Sequence, residues 1–206
     1  MSRMTLWCGA ALVAACAVGP ALAQQPAAPQ RVKGVIEKVE GDKVLVKMDN
    51  GTEATVVLAA NAQVVDVYKA TIADIKENSY IGSGAVPQAD GTQKAVEVHI
   101  FAESQRGTGD GHRPGWPGTP NGTMTNGRVD GNAVSSVDGP VVTIKYNGGE
   151  EKIIVGPNVP IVRYQVGTNA DLKSGAAMSV PAATKNPDGT FATNRINVGI
   201  DGAVPN

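Results

Sequence analysis

Two cysteines, two histidines and 4% aromatic residues are all that this 206-residue chain holds of the side chains that most often carry chemistry. Both cysteines, Cys8 and Cys16, fall in a stretch with the pattern of an export leader: Arg3, an apolar run over 6–18, Pro20, and Ala21-Leu22-Ala23 as a small-x-small cleavage site. Cleavage before Gln24 leaves no thiol, which excludes disulfides and thiol catalysis from the processed chain. The apolar run is shorter than the ~20 residues that span a bilayer, and no later run exceeds it, so no transmembrane span is expected. An excess of positive charge is lacking too. Removal of Arg3 takes the basic count from 18 to 17 against 19 acids, a net −2. Without basic clusters, nucleic acid is not expected as a partner. With no thiol and two histidines, a nucleophile with an oriented base has few candidates, and the chain is expected not to be an enzyme.

The leader implies a periplasmic destination for a soluble processed protein, with secretion as the other outcome. A second cut competes with the first. Val13-Ala14-Ala15-Cys16 fits the pattern at which a bacterial lipoprotein is cleaved and acylated, and a lipid at Cys16 would place the protein on a membrane surface.

What the chain does have is glycine-bounded β-branched runs. VEGDKVLVKMDNGTEATVV over 39–57 and VDGPVVTIKYNGGEEKIIV over 137–155 both read as turn, strand, turn, strand. Asn50-Gly51 and Gly148-Gly149 accept the positive φ that tight hairpins require. The first half predicts six short strands, near 32–39, 43–48, 52–58, 63–68, 80–87 and 95–101, with one helical turn at 71–76 started by Thr71 and Asp74. The second half repeats the first. Val39, Val44, Lys47, Glu53 and Val57 recur 98 residues later, Thr71, Asp74 and Lys76 recur 97 later, and Asp90-Gly91-Thr92 again recurs at 98. Such a regular offset implies tandem duplication.

The expected organisation is therefore a signal peptide over 1–23, a flexible tether over 24–30, a β-barrel domain over 31–101, a linker over 102–127, a second β-barrel domain over 128–202, and a fraying tail over 203–206. The linker is rich in glycine, proline and threonine and holds hardly an aliphatic residue, so it is not expected to bury a core of its own. Units of this size are marginal alone, which makes packing of one against the other plausible.

The segments KATIADIK, PQADGTQKAVEVHIF, RGTGDGH, TMTNG, KNPDGT and VGIDGAVP carry a resemblance. Together they are similar to a proteobacterial family of exported proteins of unknown function with tandem OB-like small β-barrel domains, whose members often bear the label metal ABC transporter permease. The resemblance implies an all-β fold of two tandem small OB-like barrels and brings no catalytic or ligand residues. The chain departs from the family's linker pattern at Gly115, which separates Pro114 from Trp116. A permease needs several spans whose backbone groups are satisfied within the bilayer, and the processed chain holds none. The expectation therefore keeps the barrels and discards membrane transport.

The candidate ligand-binding residues are Arg106, His112 and Trp116. Arg106 opens a glycine-rich stretch whose N–H groups could cradle an anion, although a flexible linker explains the same composition. Trp116, between Pro114 and Pro117, either plugs a gap between barrels or offers a stacking surface. His99, His112 and Asp110, with Glu97 and Glu103 nearby in sequence, form the alternative: a site for a divalent transition metal, without which no cofactor is expected. His99 should face away from Val98 and Ile100 on its strand, as an ordinary exposed residue. Thr71 with Asp74 and Thr168 with Asp171 are expected to cap turns, and Lys47 and Lys145 to be solvated. The functional expectation is a non-catalytic exported protein that binds an unknown envelope protein or small ligand. The alternative is a periplasmic metal-binding accessory.

Overall fold

A computed structural model describes residues 28–206. The expected leader with Cys8 and Cys16, and the first part of the expected tether, lie outside the described residues. The described residues are all-β, with twelve strands: β1 (Gln30–Glu40), β2 (Lys43–Met48), β3 (Glu53–Ala70), β4 (Tyr80–Pro87), β5 (Gln93–Ile100), β6 (Gly111–Pro114), β7 (Thr123–Val129), β8 (Val141–Tyr146), β9 (Gly149–Ile154), β10 (Ile161–Val166), β11 (Ala177–Lys185) and β12 (Phe191–Gly199). No helix among the described residues is long and apolar enough to cross a membrane.

Five strands close into a barrel. β1 pairs antiparallel with β2 and with β11, β2 with β3, β11 with β12, and β12 returns parallel to β3. At Gly34 the β2 backbone comes so close to β1 that a Cβ would lie 2.1 Å from the Lys47 carbonyl oxygen. The interior holds Val32, Ile36, Val44, Val56, Met178 and Ile196, each at most 1% exposed. Full burial of such side chains stabilises by roughly 1.5–3 kcal/mol apiece.

The outer strands form a second circuit, β7–β8–β9–β5–β4 and back to β7. Its closure is slight: β5 meets β9 only at Gln93↔Ile153 and Lys94↔Ile154. Ile81, Val98, Ile100, Val142, Ile144 and Ile153 fill its centre. Where the two circuits meet, β10 lies antiparallel to the second half of β3 and parallel to β5. Val65, Val67, Val162 and Tyr164 form a separate small core there.

Several expectations need correcting. Residues 31–101 and 128–202 do not each close a barrel: the first circuit takes β11 and β12 from the second half, and the second takes β4 and β5 from the first. The strands expected over 52–58 and 63–68 are one strand, β3, because Ala59-Ala60-Asn61-Ala62 contains neither glycine nor proline to turn the chain. The linker over 102–127 contains β6 and all but the last two residues of β7, whose buried Thr123, Thr125 and Asn126 made it look polar. The tail does not fray, since Ala203 is 1% exposed and Pro205 is buried.

The short turns at Ile72–Asp74 and Asn169–Asp171 match their expectation. Asp74 Oδ2 accepts from the Thr71 N–H at 2.8 Å and hydroxyl at 2.9 Å, and Asp171 Oδ2 accepts from both groups of Thr168 at 2.8 Å. These bonds hold both carboxyls below the usual aspartate range. Lys47 and Lys145 are exposed.

Candidate functional site

β5 alternates in the way a strand must: Val98 and Ile100 enter the second circuit, while Glu97 and His99 point to its outside. That outer face is not open to water. Glu97 is 4% and His99 5% exposed, against the expectation of an exposed histidine. Alternation tells which face a residue takes but not what later covers that face.

The cover comes from three directions. On β4 the residues opposite Glu97 and His99 are Gly84 and Gly82. The missing side chain at Gly84 leaves room for Trp116, whose Cδ2 and Cε2 would lie 2.4 Å from a Cβ there, and at Gly82 a Cβ would meet Asn126, Met124 and Phe101 instead. The Trp116 ring tilts against His99 with centroids 5.6 Å apart. From β10, the Tyr164 ring stacks on the other side of the imidazole at 5.1 Å and 26°. Phe101 and Tyr80 extend the aromatic row, at 5.5 Å from Tyr164 and 5.6 Å from Phe101 respectively. The third cover is the chain's last segment, whose Asn206 Nδ2 donates to Glu97 Oε2.

Inside this shell, Glu97 Oε1 lies 2.5 Å from His99 Nε2. A buried carboxylate persists only when its oxygens are partnered, and Glu97 has one partner on each. The network continues outward. Ser179 donates to the Asn206 carbonyl at 3.1 Å, Asn197 donates to Ser179 at 3.3 Å, and Arg195 Nε donates to Asn197 at 3.1 Å. The Arg195 guanidinium stands 5.9 Å from the Tyr164 ring centroid. Burial lowers its pKa, and burial followed by the charge of Glu97 pushes the Tyr164 hydroxyl up.

A cleft of ≈ 620 Å³ opens onto this network. Glu97 and Asn206 lie along it with Lys33 and Lys69, and Val159, Ile161, Val162 and Val204 make its apolar walls. Lys33 Nζ donates to Asn206 Oδ1 at 3.4 Å.

The candidates named from sequence fall in separate places. Trp116 belongs to the shell just described, seated on the outer face of the second circuit. Arg106 is bonded to Glu103 at 2.5 and 2.7 Å and to the Asn78 carbonyl at 2.9 Å, which ties down the turn after β5. His112 Nδ1 meets the Thr125 hydroxyl at 2.8 Å, with Glu151 at 3.8 Å and the Tyr146 ring at 6.3 Å. Asp110 accepts from the Asn147 N–H at 2.7 Å and the Tyr80 hydroxyl at 3.2 Å. Burial, followed by the Asp110 charge, pushes Tyr80 up to about 12. His99, His112 and Asp110 thus have different partners. Among the described residues no group of three His, Cys, Asp or Glu side chains is gathered as a metal site requires.

Sequence reasoning passed over Lys33, Lys69, Tyr164, Arg195 and Asn206. One signal could have exposed the shell: Gly82 and Gly84 alternate on one face of a strand, a pattern that marks close approach by another group. No protein-family model, no curated protein and no solved structure matches this chain.

Proposed function

We propose that the protein is an exported, non-catalytic binding protein of the cell envelope, built as a duplicated OB-like module whose copies have exchanged their last two strands. Its ligand or partner occupies the cleft beside Glu97. The observation that carries this reading is the buried Glu97 carboxylate on a cleft flanked by two lysines and an aliphatic wall. Such a mixture of few convergent polar groups and apolar lining is what a recognition site needs. Glu97 supplies an acceptor, Lys33 and Lys69 supply donors and positive charge, and Val159, Ile161 and Val162 supply apolar surface. The duplication is supported by equivalent strands and capped turns recurring at offsets of 97 and 98.

Native mass spectrometry of the protein drawn from its own envelope tests the reading. The wild type is expected to retain a stoichiometric ligand that the Lys33→Glu, Lys69→Glu double variant loses without a change in melting temperature. Equal retention by both proteins, or by neither, refutes it.

A further inference from the structure

The chain's own last residues show what chemistry the cleft accepts. Asp201 and Gly202, at φ +50° and +73°, turn the backbone back, and the Ala203 N–H donates to the Ile200 carbonyl at 3.0 Å. Ala203 and Pro205 are buried, while Val204, 59% exposed, forms part of the cleft wall. The Asn206 carboxamide is then bound at both ends: its nitrogen donates to Glu97 Oε2, and its oxygen accepts from Lys33 Nζ at 3.4 Å. A carboxylate of the same shape would satisfy Lys33 and repel Glu97, and an ammonium group would do the reverse. Only a group with a donor and an acceptor side by side meets both.

Building on the binding reading, we propose that the cleft recognises a peptide segment of a partner protein that carries an aliphatic residue followed, two positions on, by Asn or Gln. The Asn206 carboxamide is the intramolecular group that this segment displaces from Glu97 and Lys33, while Val204 stays in the cleft wall. The partner's carboxamide takes Glu97 and Lys33, and its aliphatic side chain lies against Val159, Ile161 and Val162. A short tether holds the resident segment at an effective concentration on the order of millimolar. A peptide with an intrinsic Kd of about 0.1 mM therefore binds roughly tenfold more weakly while the resident segment is in place.

The test uses the full chain and its Asn206→Ala variant, titrated by calorimetry with an acetylated, amidated peptide Gly-Ala-Val-Pro-Asn and with the same peptide ending in Asp. The Asn206→Ala variant is expected to bind the Asn peptide at least tenfold more tightly than the wild type. The Asp peptide is expected to bind neither protein, and Glu97→Gln, added to Asn206→Ala, to weaken binding of the Asn peptide. Equal affinities for wild type and variant, equal binding of the two peptides, or no binding at all overturns the proposal. Should the peptide fail while the native ligand is still retained through Lys33 and Lys69, the peptide chemistry is wrong and the binding reading stands. Failure of both experiments removes both.

Discussion

Substituting Gly84 by alanine tests the shell over the Glu97–His99 pair with a single methyl group. Gly84 lies in β4 between β5 and β7, so its backbone has a ladder on each side and cannot retreat. The new Cβ would sit 2.4 Å from two ring atoms of Trp116, which forces the indole off its seat. A tryptophan buries 150–250 Å² when covered, and a half-covered ring therefore gives up on the order of 100 Å². At about 25 cal/mol per Å² that amounts to about 2.5 kcal/mol. Loss of the contact with His99 adds about 0.5 kcal/mol, and the stiffer unfolded chain returns about as much. The expected net loss is about 2–3 kcal/mol, or about 5–10 °C in melting temperature for a chain of this size. Trp116 is the only tryptophan among the described residues, so its emission should shift to the red as the ring enters water. In a Trp116→Ala background the same change should cost almost nothing, because the clash has gone. A Gly84→Ala protein with native emission and melting temperature, or a cost that persists without Trp116, refutes the seat described above.

Replacing Glu97 by alanine leaves His99 and Asn206 without their acceptor in a buried site, and urea unfolding should show a loss of about 3–5 kcal/mol, against a much smaller loss for Glu97→Gln, which keeps the shape and one acceptor. Asp66, 6% exposed with Oδ1 unpartnered, has its pKa raised by burial and then by Asp171, so the folded state holds its proton longer than the unfolded chain does. Stability therefore falls as pH climbs from the ordinary aspartate range through the raised value. Asp66→Asn should be the more stable protein at pH 7 and lose that advantage at about pH 3, and an unchanged difference between the two pH values would count against the assignment. Zinc titration should give the same isotherm for wild type, His112→Ala and Asp110→Ala, because His99, His112 and Asp110 engage different partners; a strong site lost in both variants would show that they gather.

Much of the local structure is legible in the residues. Asn50-Gly51 and Gly148-Gly149 announce their hairpins because few other residues accept positive φ, and Thr71 with Asp74 announces a capped turn because the bonds are local. The facing of His99 also follows from its place between Val98 and Ile100. Its burial does not, since the rings that cover it, Trp116 and Tyr164, come from 17 and 65 positions further along the chain. The strand in TMTNG was hidden for a related reason: Thr123, Thr125 and Asn126 are buried against other polar groups, so hydrophobic alternation is absent. Asn206 gave no signal at all, because a carboxamide beside a chain end looks the same whether or not a buried carboxylate awaits it.

By itself the sequence determined that the chain is all-β, where its tight turns fall, and that its two halves follow one pattern. Only the tertiary structure decided which strands complete which circuit. At offsets of 97 and 98, Ile81 with Met178, Val98 with Ile196 and Ile100 with Val198 take matching core positions in β4–β5 and β11–β12, so local pattern does not choose which set of three strands each hairpin joins. In the structure β3 runs without interruption from Glu53 to Ala70 and pairs with β10 beyond the first circuit, and each hairpin lies in the circuit opposite to its own half. That crossing brings β5, β10, β12 and the last residues to one seam, and the seam is where the buried carboxylate, the two lysines and the cleft come together.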